Sequence, residues 1–139
     1  EHIAQRMEHA VRKSLLGERI VADRQLSSGP SSGAGIYLCA KYDNTLLSAD
    51  ALGERGVPAE RVGENAAQRM REEIDGGGTL DVHTADQLLP YMALAGGPST
   101  FTVGELTSHL TTQMWLLPQF LPVDIEVDGT TVNVVPNRT

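Results

Sequence analysis

Three consecutive glycines, Gly76-Gly77-Gly78, constrain the fold of this chain more than any other stretch. Glycine loses the most backbone freedom on folding and brings no side chain to pack, so neither a helix nor a strand is expected to run through all three. The 139-residue chain is thereby divided into a segment over 1–76 and a segment over 77–139. Charge follows the same division. Residues 1–76 carry ten basic and twelve acidic side chains, whereas residues 77–139 carry Arg138 alone against six acids. The chain as a whole stands at −7, which speaks against a free-standing nucleic-acid grip built on phosphate neutralisation. A polyphosphate site on the second segment must take its positive charge from the first, from a metal ion or from another polypeptide.

Apolar periodicity then places the elements. Ile3, Met7, Ala10, Val11 and Leu15 share one helical face, predicting a helix over 2–16 that Gly17 ends. Residues 18–26 read as a strand, 27–35 as a Ser/Gly/Pro loop, 36–42 as a strand, and 45–49 as its neighbour across a turn at Asp43-Asn44. Pro58 opens a helix carried by Val62, Ala66, Met70 and Ile74 and stopped by the glycines. Beyond them, Ala85, Leu88, Leu89, Met92 and Ala93 mark a helix that Pro90 should bend, and 99–103 reads as a strand. Leu110, Met114, Leu117 and Leu121 give a further helix, and 123–127 and 131–135 form a hairpin around Asp128-Gly129. The expected class is α+β.

Several chemistries are excluded early. No uncharged run is longer than 106–123, which is interrupted by Pro118 and Pro122 and does not read as a membrane span. One cysteine and four scattered histidines, without HExxH, CxxC or EF-hand spacing, offer no metal ligand set. Cys39, alone in an apolar strand, is expected to be a buried small hydrophobe, and a chain without disulfides or a signal sequence fits a cytoplasmic setting. Neither Gly33-Ala34-Gly35 nor the triple glycine has the strand-to-helix context of a phosphate loop.

Two constellations remain. His109 follows Thr107-Ser108, good capping residues, which places its imidazole in the first turn of a helix. There the exposed amides favour an incoming phosphate, and the positive end of the helix dipole favours the uncharged, nucleophilic form of a ring. Thr112 and Gln113, three and four residues on, share that face and could hydrogen-bond phosphate oxygens or orient the ring. The same pattern also describes an ordinary surface histidine at a helix start. His83, Asp86 and Gln87, at i, i+3 and i+4, form a compact polar stripe able to stack on a base and hydrogen-bond a ribose, or simply a solvated helix face.

Taken in order, Leu52-Gly53-Glu54-Arg55-Gly56-Val57-Pro58-Ala59-Glu60, Ala85-Asp86-Gln87-Leu88-Leu89-Pro90, Ala93-Leu94-Ala95-Gly96-Gly97, Ser108-His109-Leu110-Thr111-Thr112-Gln113 and Phe120-Leu121-Pro122-Val123 resemble the RNA 3′-terminal phosphate cyclase family. The resemblance covers nearly the whole chain. It implies an ATP-dependent ligase acting in RNA processing, with Mg²⁺, which converts an RNA 3′-phosphate end into a 2′,3′-cyclic phosphodiester. His109 would be the adenylylated nucleophile. His83 would stack on the adenine, and Asp86 and Gln87 would be polar nucleotide contacts. The family usually carries Asn where this chain has Gln113, and its amino-terminal portion with phosphate-binding arginines has no counterpart here. The resemblance therefore implies the carboxy-terminal part of a longer enzyme. Residues 1–76 would be a thioredoxin-like inserted domain lacking its first strand, and 77–139 the last β-α-β-α-β-β repeat, with 79–82 as its first strand. Expected partners are RNA with a 3′-phosphate end and the missing amino-terminal part of the enzyme, with a homodimer as a further expectation. A cyclase-like protein acting in ribosome assembly without catalysis is the alternative, and a docking role for 1–76 alone is a third reading.

Overall fold

The computed structural model describes residues 2–137 and is an α+β protein with four α-helices and two small sheets. The elements are α1 (His2–Ser14), β1 (Gly35–Lys41), β2 (Leu46–Leu52), α2 (Ala59–Gly76), α3 (Val82–Leu94), β3 (Ser99–Thr102), α4 (Ser108–Leu116), a 3₁₀ turn (Leu117–Gln119), β4 (Val123–Asp128) and β5 (Thr131–Pro136). Two compact units result, one of residues 1–40 and 48–71 and the other of 41–47 and 72–139. No helix among the described residues is long and apolar enough to cross a membrane.

In the first unit, Met7 of α1, Ala51 of β2 and Ala59, Val62 and Ala66 of α2 form the core, with Ile36 and Leu38 of β1 packed against it. Alternation along β1 turns Ile36, Leu38 and Ala40 inward and leaves Tyr37 and Cys39 outside. Cys39 is thus exposed, contrary to expectation, because the parity of a strand overrides the apolar character of the run around it. The strand expected over 18–26 is also absent: among the described residues, Ile20–Gln25 make no backbone–backbone hydrogen bond. Side chains hold the segment instead, through Arg12 Nη1 donating to the Ile20 carbonyl at 3.1 Å and Arg24 donating to Glu8 at 2.6 Å.

Arg6 donates from Nε and Nη2 to the two oxygens of Glu60, each at 2.6 Å. Those hydrogen bonds, reinforced by the charge of the guanidinium, hold the Glu60 carboxyl at about 2 against an ordinary value of 4.5. A carboxyl depressed in the folded state contributes stability that is present above its unfolded pKa and is lost as pH falls through the folded one. Denaturant midpoints followed by helical circular dichroism are therefore expected to decline as pH falls from about 4.5 to about 2. Glu60→Gln should shrink that decline without abolishing it, because Arg24 and Arg12 also lower the Glu8 carboxyl. An unchanged profile would show that the pair is not linked to folding.

In the second unit, β5 is central in an antiparallel sheet of order β3-β5-β4, with Phe101 opposite Val132 and Ile125 opposite Val134. Ala85, Leu89 and Ala93, one face of α3 at a spacing of four, join Phe101, Val103, Leu110, Val132 and Val134 in its core. α2 closes on Gly77, whose φ of +66° is the left-handed conformation that glycine adopts without strain. The expected strand over 79–82 is reduced to Thr79 and Leu80 donating their amides to the Thr102 carbonyl at 2.9 and 3.2 Å. Asp81 prevents more. Its carboxylate accepts from the Thr84 amide and hydroxyl, both at 2.8 Å, and so starts α3 at Val82. The last expected helix divides at Leu116, where Pro118 at the start of a 3₁₀ turn replaces further α-helical bonding.

Candidate active site

The amino terminus of α4 is built by Thr107. Its extended backbone (φ −68°, ψ 159°) turns the chain into the helix. Its hydroxyl oxygen accepts from the Leu110 amide at 3.1 Å and its carbonyl from the Thr111 amide at 3.0 Å. Ser108 and His109 are then the first two helical residues, both exposed, and neither of their amides has an acceptor among the described residues. Two free N–H groups at the positive end of a helix, beside an exposed imidazole, can hold a phosphoryl oxygen next to a nitrogen nucleophile.

Thr112 and Gln113 fill the next turn differently from each other. The Thr112 hydroxyl donates to the Ser108 carbonyl at 2.6 Å, so its single proton is already committed inside the helix. Gln113 is half-buried, and its Oε1 is enclosed without a hydrogen-bond partner among the described residues. An enclosed acceptor left unpaired costs about 1–3 kcal/mol, so Gln113 is a standing demand for a donor one turn after His109.

α3 supplies the other constellation. Asp81, fully buried, fixes its start, and Glu73 reaches the Val82 amide at 3.4 Å. Burial pushes the Glu73 carboxyl up, and the hydrogen bond from Val82 works in the opposite direction. His83 and Gln87 are exposed, while Asp86 is half-buried and accepts from the Thr107 hydroxyl at 3.4 Å. That contact joins the two constellations. The carboxylate of α3 orients the hydroxyl that caps the helix carrying His109, whereas His83 and Gln87 make no hydrogen bond to α4 among the described residues.

Sequence reasoning missed Asp81 and the capping role of Asp86. The first had a local signal, Asp81 three residues ahead of Thr84 and an apolar repeat; the second had none, because Asp86 and Thr107 are 21 positions apart. Among the described residues no three His, Cys, Asp or Glu side chains are gathered as for a metal ion, and residues 77–137 contain no Lys or Arg.

Comparison with known proteins bears on the whole chain. A sequence model described as the insert domain of RNA 3′-terminal phosphate cyclase matches residues 1–75. The chain is 53% identical over 95 residues to the RNA 3′-terminal phosphate cyclase of Nitrosospira multiformis, covering 68% of the chain and 27% of the relative. With that of Methanosarcina barkeri it shares 43% identity over 129 residues, 91% of the chain and 38% of the relative. With that of Thermococcus onnurineus it shares 40% over 134 residues, 93% and 38%. The chain thus spans roughly a third of the length of the curated relatives it matches.

Proposed function

The chain belongs to the RNA 3′-terminal phosphate cyclase family, and from that premise we propose that it is the carboxy-terminal part of such an enzyme, carrying the nucleophile for ATP-dependent cyclisation of RNA 3′-phosphate ends. In this reading residues 1–76 are the inserted domain, thioredoxin-like and lacking its first strand, and 77–139 are the last repeat. What supports the assignment of the nucleophile is His109 itself: an exposed imidazole at a capped helix start, beside two amides without acceptors among the described residues.

His109 attacks the α-phosphorus of ATP; a nitrogen–phosphorus bond forms, the bond to the bridging oxygen breaks, and its electron pair leaves with pyrophosphate while the ring sheds a proton. The free amides of Ser108 and His109 face the charge that develops on the phosphoryl oxygens. His83 stacks on the adenine, and Asp86 and Gln87 bind polar edges of the nucleoside, so that Asp86 both holds the nucleotide and steadies the Thr107 cap. Thr112 contributes to the phosphates only on releasing the Ser108 carbonyl, and the enclosed Gln113 oxygen orients a donor beside the ring. AMP then passes to the RNA 3′-phosphate, and the adjacent 2′-hydroxyl closes the ring and releases AMP. The residues present fit a divalent cation that arrives with the triphosphate rather than one resident in a protein cage, and Mg²⁺ supplies charge neutralisation there. The remaining positive charge comes from the amino-terminal part of the enzyme, in a cytoplasmic setting. Gln113 favours the alternative, a cyclase-like protein in ribosome assembly, because its side chain is one methylene longer than the asparagine the family usually carries there.

The test is incubation of this chain, and of this chain within the longer enzyme, with α-phosphate-labelled ATP and Mg²⁺, followed by a denaturing gel and mass mapping of the adduct. A labelled, acid-labile adduct on residue 109 of the longer enzyme is expected. Its absence there would overturn the catalytic reading in favour of the ribosome-assembly one.

A further inference from the structure

The triple glycine does more than separate α2 from α3. Gly76 and Gly78 lie main chain to main chain against Val103 and Gly104, the residues that follow β3. A Cβ on Gly76 would stand 2.7 Å from the Gly104 Cα. One on Gly78 would stand 2.8 Å from the Leu80 carbonyl oxygen and 3.0 Å from both the Gly104 amide nitrogen and the Val103 Cα. The approach is mutual, since a Cβ on Gly104 would meet the Gly76 Cα at 3.2 Å. Main chain cannot rotate aside, so nothing larger than hydrogen fits in this contact. Two threonines fix it: the Thr79 amide donates to the Thr102 hydroxyl oxygen at 3.0 Å, and the Thr102 amide to that of Thr79 at 2.9 Å. From Gly78 the chain reaches Asp81, the cap of α3 with His83, Asp86 and Gln87, in three residues. From Gly104 it reaches Thr107, the cap of α4 with His109, also in three. Both constellations therefore hang from one backbone contact.

We propose that Gly76, Gly78 and Gly104 are positioning residues for adenylylation: by letting the α2–α3 linker lie on the loop that leads to Thr107, they set the spacing between the helix that holds the nucleotide and the helix that carries its attacker. The inference rests on the reading of His109 as the nucleophile and of α3 as the nucleotide-binding helix. His83, Asp86 and Gln87 all lie on α3 and move with it, so a methyl group in the contact leaves their grip on the nucleotide intact. What changes is the distance from that nucleotide to α4. Attack is steep in this distance, and a misplacement of about 1 Å caused far from the chemistry can cost about a hundredfold in rate. Asp86 does not set the spacing by itself, because its contact with the Thr107 hydroxyl, at 3.4 Å, lies beyond the usual range for a hydroxyl donor. The glycine contact is main chain on both sides and has no such slack.

The experiment is single-turnover labelling of the longer enzyme by α-phosphate-labelled ATP across a range of ATP concentrations, for wild type, Gly76→Ala, Gly104→Ala and Gly77→Ala. Gly76→Ala is expected to lower the saturating rate at least about tenfold while the half-saturating ATP concentration moves less than about twofold. Gly104→Ala, whose methyl group meets Gly76 at the looser 3.2 Å, should fall between it and wild type, and decides the matter if Gly76→Ala does not fold. Gly77→Ala is the control. Its φ of +66° strains an alanine, but a Cβ there meets nothing within 4 Å, so the thermal midpoint should drop and the rate stay within about twofold. Equal rate losses at 77 and at the contact positions would overturn the proposal, since the loss would then follow stability. So would a loss carried wholly by the half-saturating concentration, which would put the glycines in nucleotide binding. Amide hydrogen exchange on this chain reads the α4 cap without nucleotide: Leu110 and Thr111, whose amides bond to Thr107, should exchange at least about fivefold faster in Gly104→Ala, with Val132 and Val134 of β5 unchanged. Absence of an adduct from the wild-type longer enzyme would overturn the adenylylation reading and the positioning role with it. An adduct formed at full rate in both Gly76→Ala and Gly104→Ala would overturn the positioning role alone.

Discussion

His109→Ala is expected to reduce labelling of the longer enzyme by α-phosphate-labelled ATP to background, a fall of at least about a thousandfold, as removal of a covalent nucleophile does elsewhere. The effect should be chemical and not structural. His109 is exposed, makes no hydrogen bond among the described residues through its side chain, and follows a cap whose bonds belong to Thr107. Exposed substitutions away from such features usually stay within about 0.5 kcal/mol, so the thermal midpoint should barely move. Removing the cap tests the opposite balance. Thr107→Ala deletes the acceptor for Leu110 and the donor to Asp86, yet leaves the imidazole in place. It should slow labelling partially and cost about 1 kcal/mol of stability. An adduct that survives His109→Ala would remove His109 from the chemistry.

The position of His109 was legible because helix starts are local events: a capping threonine, two residues and a ring in the first turn are enough to place it. The same locality explains two misreadings. Thr79, Leu80 and Val82 have strand-like character, but the carboxylate of Asp81 between them commits the next residues to a helix. Ile20 and Val21 are equally strand-like, but a strand exists only against a partner edge, and no sequence window contains that edge. Cys39 failed on parity: seven residues of apolar character do not say which alternate set faces the core, and Ile36, Leu38 and Ala40 took it. The Asp86–Thr107 contact was invisible for a different reason, since it depends on how α3 lies against α4 and not on either helix alone. What local rules placed well was each constellation; what they could not place was the bond between the two.

Gly63→Ala is expected to destabilise the first unit by about 2 kcal/mol, although glycine-to-alanine in a helix interior normally gains about 1 kcal/mol from backbone propensity. Gly63 sits buried in the middle of α2, where the helix approaches α1. A methyl group there would overlap the Met7 carbonyl oxygen and meet the Ala10 Cβ at 3.0 Å and the Met7 carbonyl carbon at 3.1 Å. Two of those three atoms are backbone within a helix and cannot rotate aside, so relief requires α1 and α2 to separate. Separation would loosen Met7 against Val62 and Ala66, the centre of this core. The control is Asn65→Ala, exposed and two residues away on the same helix, where only propensity acts and stability should rise by a few tenths of a kcal/mol. Opposite signs for the two substitutions, read as denaturant midpoints of helical circular dichroism, would show that Gly63 is required by the approach of one backbone to another. A gain at both positions would mean that α1 does not lie this close to α2.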